Sequence, residues 1–248
     1  MIPALEAEPW PTLGRLVCDF IETYLVYGPG DLRGQPYRFD DEKRALIYRI
    51  YEVFPQHHPL AGRRRFSRVA ISLRKGSAKT EFAALIAAVE LHQDGPVRCD
   101  GWDGHGRPRG RPVTDPYLPM LASTQEQSAD LAYGALKAIL EESSIAGDFD
   151  IGIERIMRRR GDGVAKPLAA APSARDGSRT SWQLFDESWH LTLPNQIAAH
   201  TTMLANIPKR PIADPWSLET TTAYEPGADS VAEHTFDQCN FGAGSETA

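Results

Sequence analysis

The stretch ISLRKGSAKTEFAALIAAVE (71–90) constrains the fold of this chain more than any other part of the sequence. It begins within an apolar run, RVAISL, which is typical of a buried strand. The run breaks into RKGSAKT, and apolar residues then return at helical spacing, at Phe82, Leu85, Ile86 and Val89. Strands that lead directly into helices are the units of parallel sheets covered by helices. We therefore predict an α/β protein.

The rest of the chain continues this alternation of strands and helices. Further strands are predicted in YLPMLAS, SWQLFDES and PWSLETTT. Helices are predicted in DDEKRALIYRIYEVFP, which opens on Asp40 or Asp41, in TQEQSADLAYGALKAILEES, and around PNQIAAHTTMLAN. The second of these places Ala132, Leu136 and Ile139, with Leu140, on one side. The pattern predicts a three-layer fold with a mostly parallel central sheet.

Two segments fall outside this alternation. Residues 1–40 form an N-terminal preamble, with an amphipathic stretch, LGRLVCDFIETYLVYG, followed by the turn-rich GPGDLRGQP. PVRCDGWDGHGRPRGRPVTDP is rich in Gly, Pro and charge, which predicts a surface loop. The small polar residues at the end, FGAGSETA, show no clear structural stop, so we expect the chain to be a fragment.

Composition and charge narrow the class of protein. Hydrophobic residues make up 42% and charged residues 24%, as in ordinary globular proteins. The formal net charge of −6 argues against a broad nucleic-acid-binding surface. Two arginine runs, Arg63–Arg65 and Arg158–Arg160, could make local contacts with nucleic acid, but solvated surface charge is the favoured interpretation of each.

The cysteines and the hydropathy exclude several other classes. The three cysteines, Cys18, Cys99 and Cys239, lie far apart, which argues against a disulfide framework. Cys99 and His105 lack the second ligand pair that a zinc site needs. No stretch approaches the ~20 apolar residues of a membrane span, and the N-terminus has no signal pattern. We expect a soluble intracellular protein.

The segment LRKGSAKT is similar to the phosphate-binding loop GxxxxGK[ST]. In that loop the glycines let backbone N–H groups turn towards phosphates, the Lys bridges the terminal phosphates, and the hydroxyl holds Mg²⁺. Leu73 and Ala78 replace the two glycines here, whereas Lys79 and Thr80 are retained. The following helix would add its N-terminal dipole to the anion site. Taken alone, the segment is equally compatible with a plain strand–turn–helix.

A second motif favours the phosphate loop. SWQLFDES is an apolar strand that ends in Asp186 and Glu187. Phosphoryl chemistry on a parallel sheet needs one carboxylate to position Mg²⁺ and another to activate water, both beside the phosphate loop. We assign the metal role to Asp186, with Thr80, and the role of general base to Glu187. The two motifs together predict an enzyme that hydrolyses ATP with Mg²⁺.

The ordered set of motifs resembles the large terminase subunit of tailed bacteriophages, the motor that packages DNA into capsids. The resemblance runs from about GQPYRFDDEKRALIYRIYEVF to LETTTAYEPGADSVAEHT. It includes an adenine-side segment (PYRF), the altered phosphate loop (LRKGSAKT), the FDE strand and a Thr-rich strand end (ETTT). PVRCDGWD, ARDGSRT and FDESWH are also similar to terminases of phages that infect actinobacteria. The fold implied is a P-loop NTPase of the additional-strand, RecA-like type.

The resemblance also implies residue roles. The nucleotide phosphates would lie against the loop residues Arg74, Lys75, Gly76, Ser77, Ala78, Lys79 and Thr80. Thr220, Thr221 or Thr222, with the last two favoured, would sense the γ-phosphate, although a β-branched strand explains them equally simply. Near the adenine, Tyr37, Arg38 or Phe39 would contact the base. Burial at a helix entry is an equally good account of Tyr37 and Phe39.

Arginine fingers are a further expectation from the resemblance. Within the loop, Arg74 or Lys75 would act in cis, but the usual arginine position falls on Lys75. A finger donated to a neighbouring subunit would be Arg175, with Arg179 as the second choice. Either one could instead be a loop residue paired with Asp176.

The function implied is ATP hydrolysis that drives double-stranded DNA into a viral procapsid, in the host cytoplasm. We expect residues 41–248 to form the ATPase domain and the family's nuclease domain to be absent. The implied partners are DNA contacted through its backbone regardless of sequence, the portal protein, the small terminase subunit, and copies of this chain in a ring, with no membrane. The alternatives are a helicase-like DNA translocase and a non-hydrolysing nucleotide-binding assembly module.

Overall fold

A computed structural model describes residues 10–121, 132–168 and 179–243. Its central sheet has seven strands: β1 (Arg68–Ser72), β4 (Tyr117–Leu121), β5 (Phe149–Ile151), β6 (Ile156–Arg158), β7 (Val164–Leu168), β8 (Trp182–Phe185) and β9 (Trp216–Thr221). The order is β1-β9-β8-β4-β7-β6-β5. The first five of these are parallel, and β6 and β5 continue the sheet in antiparallel fashion. The predicted mostly parallel sheet is confirmed.

Helices cover both faces of this sheet. They are α1 (Gly14–Tyr24), α2 (Asp41–Ile50), α3 (Lys79–Leu91), α4 (Ala132–Glu142), α5 (Pro194–Leu204) and α6 (Val231–Ala243). The first four share one large apolar cluster with one face of the sheet, and α5 and α6 share a smaller cluster with the other face. The predicted three layers are therefore confirmed. No described helix is both long enough and apolar enough to cross a membrane.

Helix α3 lies at the centre of the larger layer. The sequence pattern predicts one apolar face, but every residue from Phe82 to Leu91 is buried. The helix packs against α1, α4 and four sheet strands, so no side of it reaches solvent. The segment after the phosphate-loop sequence is thus held rigidly in the core.

The preamble joins this same layer. Helix α1 contacts α2 and α3, and its apolar residues belong to the large cluster. The predicted start of α2 is confirmed, since the Asp40 side chain accepts a hydrogen bond from the backbone N–H of Lys43 at 2.7 Å.

A buried ion pair anchors the last turn of α3. Glu90 is fully buried, and its Oε1 accepts hydrogen bonds from Arg98 (3.0 Å), Tyr51 Oη (3.0 Å) and Trp216 Nε1 (2.9 Å). Arg98 also donates to the carbonyls of Val97, Ser181 and Ala213, so each of its nitrogens has a partner. This group ties the helix to the beginnings of β8 and β9.

The arginine runs are not simply solvated charge, contrary to the favoured interpretation. The middle residue of the first run, Arg64, is buried with its guanidinium 4.1 Å from the ring centre of Trp216. In the second run, buried Arg158 donates to the carbonyls of Leu91, His92 (2.9 Å), Val113 (3.1 Å) and Thr114 (3.2 Å). Inside the protein, these arginines donate hydrogen bonds to backbone carbonyls or pack against an aromatic ring.

Three further features differ from expectation. The strand predicted in RVAISL is present as β1, but it lies at the edge of the sheet and only Ile71 in it is buried, so its predicted burial is wrong. The predicted surface loop contains a twisted hairpin of β2 (Arg98–Trp102) and β3 (Pro108–Arg111), separate from the main sheet. Strands β5–β7 and helix α6 have no predicted counterpart.

We expect Arg98→Met to lower the free energy of unfolding by about 3–5 kcal/mol, because it removes the cation that is hydrogen-bonded to the buried Glu90 carboxylate. Lys137→Met, which removes the partly exposed pair with Glu141, should cost less than about 0.5 kcal/mol. Denaturant unfolding measures both. The double variant Arg98→Met, Glu90→Gln should recover part of the loss, and a cost below about 1 kcal/mol for Arg98→Met would contradict this account.

Candidate active site

The two predicted motifs meet at one edge of the sheet. Strands β1, β9 and β8 are adjacent and parallel, so their carboxyl ends lie side by side. The loop 73–78 follows β1, the pair Asp186 and Glu187 follows β8, and the Thr-rich segment 220–222 ends β9. Strand β9 therefore separates the loop from the acidic pair, and contacts both.

The loop adopts left-handed backbone conformations at two positions. Gly76 has φ 82°, which favours glycine, and the space where a Cβ would sit is open. Ala78 has φ 56° and ψ 35°, although a side chain disfavours this region. It directly precedes Lys79, the first residue of α3, so the helix N-terminus opens onto the loop. The loop thus keeps a turned backbone without glycine at position 78.

Asp186 is a buried carboxylate at the centre of this edge. It is 1% exposed, and it accepts hydrogen bonds from Thr80 Oγ1 (3.2 Å) and Thr220 Oγ1 (2.6 Å). Burial raises the pKa of Asp186, and the two hydroxyl donors work against that shift. The first turn of α3 and the end of β9 are thereby tied to the same side chain.

Glu187 points towards the loop from a strained backbone. Its φ of 50° and ψ of 52° are left-handed. Its Oε1 lies 3.0 Å from Lys79 Nζ, and its Oε2 accepts a hydrogen bond from Trp189 Nε1 at 2.7 Å. Lys79 is 5% exposed, so its ammonium group is withdrawn from water beside the carboxylate.

The remaining loop residues are more open. Arg74, Lys75 and Gly76 are exposed, and Ser77 is half-buried. The Ser77 hydroxyl oxygen is buried and has no hydrogen-bond partner among the described residues. An unsatisfied hydroxyl at the mouth of a helix N-terminus is a vacant donor and acceptor for a polar ligand.

The Thr-rich strand end contributes through its first member. Thr220 contacts Asp186, whereas Thr221 Oγ1 donates to the carbonyl of Thr222 at 2.9 Å. The backbone N–H of Leu73 donates a hydrogen bond to the carbonyl of Thr221 at 3.1 Å, and this bond joins β9 to the loop.

The adenine-side segment lies near the start of α3 but is largely packed. The backbone N–H of Gly28 donates to Glu81 Oε1 at 2.7 Å, and this holds the 25–37 region beside the helix. Tyr37 is 3% exposed, and the centre of its ring lies 5.0 Å from that of Phe39. This packing matches the alternative interpretation, in which the two rings are buried at the helix entry. Arg38 is exposed, and its guanidinium donates to the carbonyl of Glu22 at 2.7 Å.

The two candidates for a finger donated to a neighbouring subunit, Arg175 and Arg179, are not both described by the structure. Arg175 lies outside the described residues. Arg179 is exposed just before β8, at the end of that strand opposite Asp186. With Arg210 it lines an open cavity of about 310 Å³.

Two residues that contact this edge were not identified from sequence. Trp189 donates to Glu187, and Glu219 lies next to Thr220 in β9. The signal for Trp189 is its position two residues after Glu187 in FDESWH. The signal for Glu219 is a lone acidic residue within the apolar strand WSLETT, which predicts a buried carboxylate.

One of the comparisons with known proteins, with a solved structure, supports this architecture. A scan against models of protein families finds no match. The Gene 13 protein of Mycobacterium phage L5 is 22% identical over 203 residues, covering 80% of this chain and 33% of that protein. The large terminase of bacteriophage HK97 superimposes with a TM-score of 0.62 at 17% identity, over 94% of this chain and 42% of that chain. The Thermus phage P74-26 large terminase ATPase domain gives a TM-score of 0.48 at 16% identity, over 78% of this chain and 69% of that chain.

The HK97 superposition confirms the predicted fold and, at the level of fold, the resemblance to large terminases. This chain spans about a third of the length of the L5 protein and 42% of the HK97 chain.

We expect Ala78→Gly to raise the free energy of unfolding by about 1 kcal/mol, because it relieves the left-handed strain at that position. Ala87→Gly, in the interior of the same helix, should instead lower it by about 1 kcal/mol. Chemical denaturation of both variants checks the pair, and a destabilised Ala78→Gly protein would show that the left-handed conformation is unstrained.

We expect Asp186→Asn to stabilise the protein by about 1 kcal/mol at pH 7, as changes that remove strain from active sites do. Burial raises the pKa of Asp186, so its ionisation costs stability as the pH rises through that pKa, and the cost vanishes below the unfolded value of 3.8. The gain should therefore shrink as the pH falls towards that value. Unfolding curves from pH 4 to pH 8 without added metal test this, and a gain independent of pH would refute it.

Proposed function

We propose that this chain is the ATPase domain of a phage large terminase, and that it hydrolyses ATP in the presence of Mg²⁺. The observation that carries the proposal is the convergence of Lys79, Thr80, Asp186 and Glu187 at the N-terminus of α3. A cation, a hydroxyl and two carboxylates at a helix N-terminus are the groups that phosphoryl transfer requires.

The donor set fits a magnesium ion. Thr80 and Asp186 offer a hydroxyl and a carboxylate, the hard oxygen ligands that Mg²⁺ prefers. Within the part of the chain that the structure describes, the Asp186 carboxylate accepts hydrogen bonds from hydroxyls alone, so a bound cation would offset the cost of burying it. When bound, Mg²⁺ would neutralise negative charge on the phosphates.

The loop residues would hold the phosphates. The N-terminus of α3 supplies unpaired backbone N–H groups and the positive end of its dipole. Ser77 offers its unpartnered hydroxyl, and the exposed Arg74 and Lys75 add positive charge. Both of these side chains remain candidates for a finger in cis.

Lys79 and Glu187 form an ion pair in this structure, and a bound nucleotide would compete with Glu187 for the lysine. A polyphosphate offers Lys79 a stronger anion than a single carboxylate. Once Lys79 turns to the phosphates, Glu187 is freed to accept a proton from water, while Trp189 Nε1 keeps hold of its other oxygen. The lysine thus restrains the base until phosphate binds.

The wider role follows the relatives by analogy. We infer that hydrolysis drives double-stranded DNA into a procapsid in the host cytoplasm, with the portal protein and small terminase subunit as partners and this chain in a ring. Contacts to DNA would be to its backbone and would weaken steeply with salt. Residues 1–40 would serve as a preamble to the ATPase domain at 41–248. Arg175 or Arg179 would reach the neighbouring subunit's nucleotide.

We expect Mg²⁺-dependent ATP hydrolysis by the wild-type chain, lost in both Lys79→Ala and Glu187→Gln. Lys79→Ala should also weaken nucleotide binding, whereas Glu187→Gln should keep binding and lose turnover by at least ~100-fold, the share that a general base contributes. Lys137→Ala, on the surface of α4, is the control and should behave as wild type.

Steady-state hydrolysis and nucleotide titration, each across a range of protein concentrations, give the answer. A rate per molecule that rises with concentration indicates an arginine donated between subunits. Unchanged hydrolysis in Glu187→Gln would remove that residue as the base. Tight binding without turnover, with DNA and the packaging partners added, would favour a non-hydrolysing module.

A further inference from the structure

Glu219 is a buried carboxylate that the proposed reaction does not use. It lies in β9, on the face that packs against α5 and α6, and is 4% exposed. Its register partner is Phe185, the last residue of β8. A carboxylate in such a place is tolerated only if hydrogen-bond donors surround it.

The donors come from two different segments. Ser188 Oγ donates to Glu219 Oε1 at 2.7 Å, and Thr235 Oγ1 donates to Oε2 at 2.9 Å. His200 Nε2 lies 3.7 Å from Oε2 and makes no hydrogen bond with any described residue. One side chain therefore joins the residue after Glu187 to the second turn of α6.

Strand β9 holds the turn that carries Glu187 from both faces of the sheet. Successive strand residues point to opposite faces. Thr220 contacts Asp186 on the α3 face, and Glu219 contacts Ser188 on the other. Glu187 lies between these two anchors in its left-handed conformation, so its direction depends on both.

Helix α6 meets the same turn through its backbone. The N–H of Val231, its first residue, donates to the carbonyl of Leu191 at 3.0 Å. The apolar cluster between α5, α6 and the sheet is small, with Leu121, Phe185, Leu191, Ala199, Met203 and Val231 as its buried members. Beside this cluster, the hydrogen bonds of Thr235 and of the Val231 N–H hold α6 to the sheet and the turn.

We propose that Glu219 is a positioning residue that fixes the turn bearing Glu187 to helix α6, so that turnover depends on α6 being docked. The proposal rests on the proposed ATPase function. Glu219 itself touches neither substrate nor metal, and acts through Ser188 on one side and Thr235 on the other.

The test uses Thr235, which lies on the far side of Glu219 from the reaction. Thr235→Val keeps the shape and removes the hydroxyl, whereas Thr235→Ser keeps the hydroxyl. Ser217→Ala removes another buried hydroxyl from the same face of β9 and is the matched control. We expect Thr235→Val to lower kcat about tenfold with KM within about twofold, since a small misplacement of a catalytic group lowers the rate. Thr235→Ser and Ser217→Ala should stay close to wild type.

Hydrogen exchange supplies a readout that is independent of ATP hydrolysis. The amides of His190 and Leu191 donate within the turn, to the carbonyls of Glu187 and Ser188. Their exchange should quicken about tenfold in Thr235→Val and remain at the wild-type rate in Thr235→Ser. If the wild-type protein does not hydrolyse ATP but the variants show this exchange pattern, the ATPase proposal is refuted and the anchoring of the turn by Glu219 still holds. If Thr235→Val matches Ser217→Ala in both kcat and exchange, Glu219 does not position the turn and the inference is wrong.

Discussion

Burial of the Asp186 carboxylate is the constraint on which this edge of the sheet depends. A carboxylate withdrawn from water needs donors, and here they are the hydroxyls of Thr80 and Thr220. The two threonines belong to different segments, the first turn of α3 and the end of β9. Satisfying one side chain therefore ties α3 and β9 to the end of β8, and it places Lys79, the neighbour of Thr80, against Glu187.

The site concentrates backbone strain on both sides of its centre. Ala78 and Glu187 each adopt a left-handed conformation, at a cost of order 1–3 kcal/mol apiece. Both residues are kept in this conformation because well-packed structure follows each of them. After Ala78 comes the buried helix α3, and after Glu187 comes a turn that is hydrogen-bonded through Ser188. Glycine at position 78 is thus dispensable, since the surrounding core enforces the shape that glycine would permit.

Local patterns in the sequence predicted the parallel strands β1, β4, β8 and β9 and the helices beside them, but not strands β5–β7, helix α6 or the partners of individual side chains. The strand–loop–helix at 71–90 and the acidic end of β8 follow from short-range periodicity, and the structure brings them together. Arg64 and Arg158 cannot be told from the other arginines of their runs in sequence, because their burial is decided by aromatic rings and carbonyls of distant segments. The contact of Thr220 with Asp186 depends on the register of β9 against β8, which the sequence leaves open.

The position of Arg158 has a consequence for the opposite end of α3. The helix has 13 residues, or about 20 Å, and it is buried from Phe82 to Leu91, where solvent cannot screen its C-terminal charge. The C-terminal end of the helix dipole is equivalent to about half a negative charge. At an effective dielectric constant of about 20 it would repel each negative charge bound at the loop by roughly 0.4 kcal/mol. Burial lowers the pKa of Arg158 only to about 10, so it stays cationic and cancels that charge. Arg158 therefore favours polyanions at a loop that it never touches.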